Sequence, residues 1–424
     1  MTLAQFQQWK PLAESLARSQ STAAIEVGQL LIDLATTADD PLCLPFALWS
    51  AANLYYRLGD FAQADSCFQR AADLYEALNE PVSIARMSVA WVHALGELQR
   101  YQEAFACAER AKRLLVQSQD AIDQERLMGL YNTTGIIYEE TGQLTDALRN
   151  YEKSLAYYVA LSELTHSQLL NFVCVLQSIG IVQTLLGQYA AADHAFAEAL
   201  KLTESLAPAD DVCAEQTRTF MDRAWLLTIQ QAAPMRIRAA FQTARRSRSQ
   251  LDETSALRNF ALIDLDEANW LLHIGKADTV DKALLLQLLA ETTAAGMYFE
   301  AIYAKILLGQ LALYQGVHEN AEEIFADIIE ALDETNPALG YLAQRWHARA
   351  LRALGRYEAA QAALEAGIRL VESTRHRLTT DDYRAGYLDD KLVAYQDLVD
   401  LHILRGDHDR AFHVGESAKA RTLT

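Results

Sequence analysis

Cysteine is scarce in this sequence. Cys43, Cys67, Cys107, Cys174 and Cys213 are the five present in 424 residues, and no two form a CxxC pair. An odd, scattered set argues against a disulfide framework and fits a reducing compartment. Basic charge is also short, with 37 Lys and Arg against 56 Asp and Glu and a formal net charge of -19. Such a surface repels phosphate, which argues against direct nucleic-acid binding and against attraction to an anionic membrane. Long apolar runs are missing too. The N-terminal stretch MTLAQFQQWKPLAESLARSQ has no basic region leading into an apolar one, and Ala283 to Ala290, read as the most apolar later stretch, is too short to span a bilayer. The expectation is a soluble, unexported, cytoplasmic protein. No GxxxxGK[ST] or GxSxG pattern occurs.

What the sequence does contain is one supersecondary unit, repeated. In residues 176–202, LQSIGIVQTLLGQYAAADHAFAEALKL, two amphipathic helical patterns meet at Gly187-Gln188. A glycine there takes the left-handed conformation that ends a helix, so the stretch reads as an αα-hairpin. Gly180, Ala192 and Ala199 fall where the helices cross, and Leu176, Tyr189 and Phe196 fill the space around them. With Ala192 as marker, the pattern recurs at Ala64, Ala104, Ala147, Ala321, Ala360 and Ala411. The 129-residue gap from Ala192 to Ala321 leaves room for two degenerate copies. One is expected around Trp225 with a second helix near Ala240, the other around Trp270 to Gly275 with a second helix near Ala283. Cys67 and Cys107 share one repeat position, which favours small buried residues over reactive thiols.

This consensus resembles the tetratricopeptide repeat (TPR): a small residue at position eight, glycine before an aromatic at seventeen, alanine at twenty, an aromatic at twenty-four and alanine at twenty-seven. The spacing here is longer than that family's usual 34 residues. The resemblance implies an all-α, right-handed superhelical solenoid of about nine TPR-like helix pairs. Its expected divisions are capping helices over 1–44, with patterns at Leu3 to Leu16 and Ile25 to Leu34; regular repeats over 45–205; two degenerate repeats over 206–293, after a loop at Pro208; and C-terminal repeats over 294–424. A composition 51% hydrophobic supplies ample core, spread along the stack.

The last fifty residues carry a narrower resemblance. Arg384, Tyr387-Leu388, Tyr395, Leu398, Gly406, Ala411-Phe412, Glu416 and Ala418-Lys419-Ala420-Arg421 are similar to the final repeat before a CHAT domain, a caspase-like cysteine-protease domain associated with TPRs. Gly415 departs from that pattern, where a larger residue is usual. No CHAT domain is present up to Thr424, so the resemblance implies a catalytic domain beyond it and assigns no catalytic residue here.

Chemistry within the chain is sparse. His318-Glu319-Asn320-Ala321-Glu322 lacks the second histidine of a zinc helix. His402, His408 and His413 with Asp407 and Asp409 fit the helical frame better than a metal cluster, so neither a metal nor a cofactor is expected. Arg236, Arg238, Arg245, Arg246 and Arg248 read as a solvated helix face, or as a docking patch for something acidic.

The TPR resemblance places partner binding on the concave face, at repeat positions two, five, nine, twelve and thirteen. In the first copy these are Phe46, Trp49, Asn53, Tyr56 and Arg57; in the eighth they include Arg345, Arg349 and Arg352. Of the carboxylate clamp of chaperone-binding TPRs only Asn53 is present. The three eighth-copy arginines form one helical stripe that needs an anion opposite, either internal, with Asp389, Asp390 or Asp400 as examples, or a partner's. The reading is a non-catalytic scaffold and sensing arm of a CHAT-type protease system, binding a protein or peptide partner. The alternative is a ligand- or peptide-responsive TPR sensor of a transcriptional or signalling regulator.

Overall fold

The computed structural model describes residues 3–4, 7–8, 23–207, 209–251, 257–332 and 336–422. Among them are twenty α-helices, one 3-10 turn and no strand. After α1 (Ala23–Thr36), successive helices fall into nine pairs. These are α2 (Cys43–Arg57) with α3 (Phe61–Ala77), α4 (Pro81–Glu97) with α5 (Tyr101–Leu115), and α6 (Ala121–Glu140) with α7 (Leu144–Ala160). Next come α8 (His166–Leu185) with α9 (Tyr189–Glu204), α10 (Asp210–Ile229) with α11 (Pro234–Arg248), and α12 (Leu257–His273) with α13 (Lys282–Ala294). The last are α14 (Tyr298–Tyr314) with α15 (His318–Ala331), α16 (Pro337–Ala353) with α17 (Tyr357–Arg375), and α19 (Leu392–Leu404) with α20 (His408–Thr422). A short helix, α18 (Asp381–Leu388), stands between the eighth pair and the ninth. The fold is an all-α solenoid of helix pairs.

Each pair turns on one residue in the left-handed region. Seven of these are glycines, Gly59, Gly142, Gly187, Gly275, Gly316, Gly355 and Gly406, and two are glutamines, Gln99 and Gln231. That conformation costs a side-chain-bearing residue more than glycine, which is why glycine dominates the position. The crossing is then set by size. Ala64, Ala104, Ala147, Ala192, Ala321 and Ala360 have no exposed surface, and Ala411 is buried. Opposite them, a β-carbon at Gly180 would lie 2.5 Å from the Phe196 ring, and one at Gly309 would lie 2.6 Å from the Phe325 ring. The second helices of the degenerate copies contain Ala240 and Ala283, near which they were expected, and at their marker position stand Ile237 and Leu285, both buried.

By contacts the chain divides into two units. The first comprises Met1–Ile137, Asn150–Ser162 and Asp252–Ala256; the second comprises Tyr138–Arg149, Glu163–Leu251 and Leu257–Thr424. This division falls elsewhere than the change of sequence pattern near 206. In the first unit α1 packs on α2, with Gly28 against Leu54 and Ala51. The expected helical pattern from Leu3 to Leu16 lies largely outside the described residues, as does the loop residue Pro208. Cys67 is buried and Cys107 half-buried. Burial pushes both thiols up, Cys107 to about 11, so neither is an activated nucleophile.

The second unit closes on itself. Gly386 of α18 lies against the α8–α9 turn so tightly that a β-carbon there would collide with the Leu186 carbonyl oxygen, and one at Gly187 would lie 2.5 Å from the Gly386 α-carbon. One pair earlier, a β-carbon at Gly142 would lie 2.8 Å from Pro337 and 2.9 Å from Thr374, while Arg377 donates to the Thr141 carbonyl at 3.3 Å. Turns of the third and fourth pairs therefore meet the eighth pair and α18. Helix α8 is long and apolar enough to cross a membrane by length and composition, and half of its apolar stretch is buried in the fold, packed on α9 and α10. It is a longer apolar stretch than Ala283 to Ala290, and packing accounts for its apolarity.

Replacing Ala192 by tryptophan should lower stability by ~1–3 kcal/mol or more, because overpacking a closed small-residue crossing forces helices apart. Thermal melts measure this, and an unchanged midpoint would place Ala192 outside the crossing.

Candidate partner-binding surfaces

The first-copy residues lie on α2 in the first unit, and they divide. Phe46 belongs to the buried core and meets Trp49 edge-on, with ring centroids 6.0 Å apart. Tyr56 meets Phe61 and His93 edge-on at 6.0 and 5.4 Å. Trp49, Asn53 and Tyr56 are half-buried and Arg57 is exposed. Phe46 is thus a packing residue, which leaves Trp49, Asn53, Tyr56 and Arg57 as the surface.

In the eighth copy, the anion opposite the arginine stripe is internal. Asp397 of α19 accepts from Arg345 Nε at 3.1 Å, from Arg349 Nε at 3.0 Å and from Arg349 Nη2 at 2.9 Å. Both guanidiniums also lie over Trp346, at 5.2 and 4.7 Å from its ring centroid. The partner is neither Asp389, Asp390 nor Asp400. Two of the three arginines are spent within the fold, and Arg352 alone of the stripe is exposed. The basic run on α11 is partly spent as well. Arg245 and Arg248 pair with Asp264, Arg245 also reaches Glu267 at 2.7 Å, and Arg238 lies over Trp270. Among the described residues no three His, Cys, Asp or Glu side chains come together in a metal-binding group.

A different row emerges in the second unit, on the first helices of successive pairs. Asp222, Asp266 and Asp397 each stand nine residues before the left-handed residue of their turn, Gln231, Gly275 and Gly406. They are therefore equivalent positions. The preceding copy presents Arg345 and Arg349 to Asp397. At the equivalent positions, the copy before Asp222 carries Gln177 and Ile181 and the copy before Asp266 carries Met221 and Trp225, none of them cationic. Asp222 is 6% exposed. Burial pushes its carboxyl up to about 7 against the pull of Arg218, with Asp266, Glu139 and Glu215 adding to the rise. Burial pushes Asp266 up to about 7 as well, even though the Tyr303 hydroxyl donates to it at 3.1 Å. Asp266, Glu215 and Arg218 are half-buried, so water reaches a row that protein otherwise surrounds. This row was missed in the sequence because it depends on the register of the degenerate copies.

With the geometry in hand, the comparisons decide the repeat type. Residues 50–84, spanning α2, α3 and the start of α4, match the tetratricopeptide repeat family model. That stretch is similar to a tetratricopeptide repeat. Its fold is similar to that of a Rap protein in the crystal structure of that protein complexed with Competence and Sporulation Factor, with a TM-score of 0.53 and 11% identity over 89% of this chain and 99% of that one. A chain of the APC/C hetero-tetramer Cut9-Hcn1 matches with a TM-score of 0.41 and 14% identity over 99% of this chain and 79% of that one. Yeast Tom70 matches with a TM-score of 0.30 and 13% identity over 99% of this chain and 93% of that one. No curated protein matches the sequence. The likeness to the Rap protein over 89% of this chain is one of fold, an all-α solenoid of helix pairs.

Two outcomes follow from these carboxylates. Arg349→Glu should cost roughly 2–3 kcal/mol, since it replaces one of the two guanidiniums on Asp397 by a second carboxylate, and the swap Arg349→Asp with Asp397→Arg should recover part of it in thermal melts. Asp222 has a folded pKa above its unfolded value, so the fold favours its protonated form, and that favour is lost as pH rises through about 7. Asp222→Asn should therefore be more stable than the parent by at least about 2 kcal/mol at pH 8, an advantage that grows from pH 4 to 7 and then levels. A pH-independent difference in denaturant unfolding would contradict this.

Proposed function

We propose that this chain is a non-catalytic TPR scaffold of the cytoplasm that recognises an extended protein or peptide segment on the first-helix faces of its second unit and passes that event to an effector. The observation that carries the reading is the row of Asp222, Asp266 and Tyr303: enclosed, reached by water, and left without the arginines that neutralise the equivalent Asp397. Structural positions of this kind are normally compensated, because a buried uncompensated carboxylate is costly. Support of a coarser kind comes from the Rap protein of the same fold class, which is complexed with Competence and Sporulation Factor. This is the ligand- or peptide-responsive reading.

The CHAT-linked reading has its own observation. Several of the family-matching residues pack in or beside the ninth pair: Tyr387, Leu388 and Leu398 are buried, and the Tyr395 hydroxyl donates to Glu372 at 2.5 Å and accepts from Arg421 at 3.3 Å. Gly415 is different. It stands four residues after Ala411, where Phe68, Tyr151, Phe196 and Phe325 follow the marker alanines of other copies. Nothing lies within 4 Å of where its β-carbon would be, and it lines a groove of about 290 Å³ with Tyr395, Val399 and Ala418. Phe412 beside it is 66% exposed. A following effector domain would find that groove ready for a side chain, which supports regulation of a neighbouring domain from this end.

Photo-crosslinking from benzoylphenylalanine at Tyr303, Tyr56 or Phe412, in extract of the native cell, separates these readings. A partner captured from Tyr303 and identified by mass spectrometry supports the inner row. Capture from Tyr56 or Phe412 alone would move recognition to the first copy or to the ninth pair.

A further inference from the structure

Among the acceptor atoms of the second unit that are buried without a donor are Gln177 Oε1 on α8, and Glu215 Oε2 and Asp222 Oδ2 on α10. Gln177 has no exposed surface, and its amide is pinned, since Nε2 donates to the Glu215 carbonyl at 3.0 Å and to the Thr219 hydroxyl at 2.8 Å. Glu215, Thr219 and Asp222 follow at spacings of four and three, so they share one face of α10, and Gln177 lies across that face. Asp266 on α12 couples to Asp222 and is reached by water, so it stands at the open side of this group. All three of these unmet atoms are acceptors. A proton on Asp222 would serve at most one of them, whereas an ammonium has three donors, a guanidinium has five, and neither has an acceptor to leave unmet.

We infer that the inner face formed by α8, α10 and α12 is a binding site for a cationic side chain, a lysine ammonium or an arginine guanidinium presented by the partner segment. The inference rests on the reading above and names the chemistry of its ligand. The fold contains its own example of the arrangement. Asp397 occupies in the ninth copy the position that Asp222 holds in the fifth, and Arg345 holds in the eighth copy the position of Gln177 in the fourth. At one interface the cation belongs to the chain; at the other the same position carries a glutamine, and the cation has to come from elsewhere. The groups facing Asp222 are Arg218 and Glu215 on its own helix, Asp266 on α12 and Glu139 on α6, a set with more negative than positive charge. Asp266 in turn faces Tyr303 on α14. Burial pushes both carboxyls up to about 7, aided at Asp222 by this imbalance, and a bound cation would draw them down and release protons.

Fluorescein-labelled hexa-arginine is the probe, followed by anisotropy with the full chain at pH 8 and 0.15 M salt. Asp222→Asn with Asp266→Asn should weaken binding at least tenfold. Glu358→Gln with Asp409→Asn, an equal charge change at two exposed residues, should alter it less than twofold. Gln177→Arg supplies the cation from within. It should abolish site-specific binding, raise the melting temperature and flatten its pH dependence between 4 and 7. Parent binding should tighten from pH 6 to 8 as the carboxyls ionise. Equal loss in the two double variants, or unchanged binding in Gln177→Arg, overturns the proposal. If Tyr303 still crosslinks a native partner in that event, recognition on the inner row stands and only its cationic chemistry falls. The Gln177→Arg result remains decisive should the double aspartate variant fail to fold.

Discussion

The crossing of two helices over a residue with almost no side chain is the constraint on which the rest depends. Ala192 under Phe196, with Gly180 opposite, brings two backbones close enough that one aromatic ring fills the space between them. The same geometry at Gly309 and Phe325 gives the same crossing in another pair. A hairpin of this kind exposes an apolar face that only another hairpin covers, so the unit specifies its own repetition. Because the crossing fixes the angle within a pair, it also fixes which positions of the first helix face the next pair. That is how Asp397 comes to meet Arg345 and Arg349 from the preceding copy, 52 and 48 residues away in sequence.

The regular copies were legible because their signal is steric. Alanine and glycine at a crossing, and glycine at a turn, are dictated by the backbone and leave their mark in residue type. The degenerate copies were half legible for the same reason inverted. Ile237 and Leu285 replace the marker alanine, Gln231 replaces the turn glycine, and the link between α12 and α13 is lengthened by a 3-10 turn at Ala277–Thr279. Their existence followed from spacing, but their register did not. The inner acidic row was lost with that register, since Asp222 and Asp266 are equivalent to Asp397 only once Gln231 is recognised as a turn residue. The arginine stripe shows the opposite limit. Its helical spacing was visible, while the identity of its anion depended on which copy lies against it, a property of packing between repeats.

The closure within the second unit gives the enclosed row its physical setting. Gly386 against the Leu186–Gly187 turn is a contact between backbones, which only glycine on both sides permits. Such a contact has no side chain to adjust, so it holds at one distance or not at all. Helices that would otherwise flex along a solenoid are tied there at widely separated points of the chain. Carboxylates on their first helices remain surrounded by protein while water still reaches Asp266 and Glu215.

The two fates of one repeat position then argue about function through energetics. Solenoid copies share a backbone plan, so an aspartate at a given position meets a similar environment in each copy, and what differs is the compensation offered by the neighbour. Asp397 receives two guanidiniums and the face of Trp346 beneath them. Asp222 has Arg218 on its own helix, while the arginine position of the preceding copy is filled by a glutamine whose donor is already committed. A position maintained purely for packing would be served by an apolar residue, as Leu307 serves it in the seventh copy, buried and with no polar atom to satisfy. On the reading proposed above, retaining Asp222 with an unmet oxygen leaves room for compensation supplied from outside the chain. The cost of the unliganded state then becomes part of the affinity for whatever supplies the donors, because binding removes that cost as it forms the contacts.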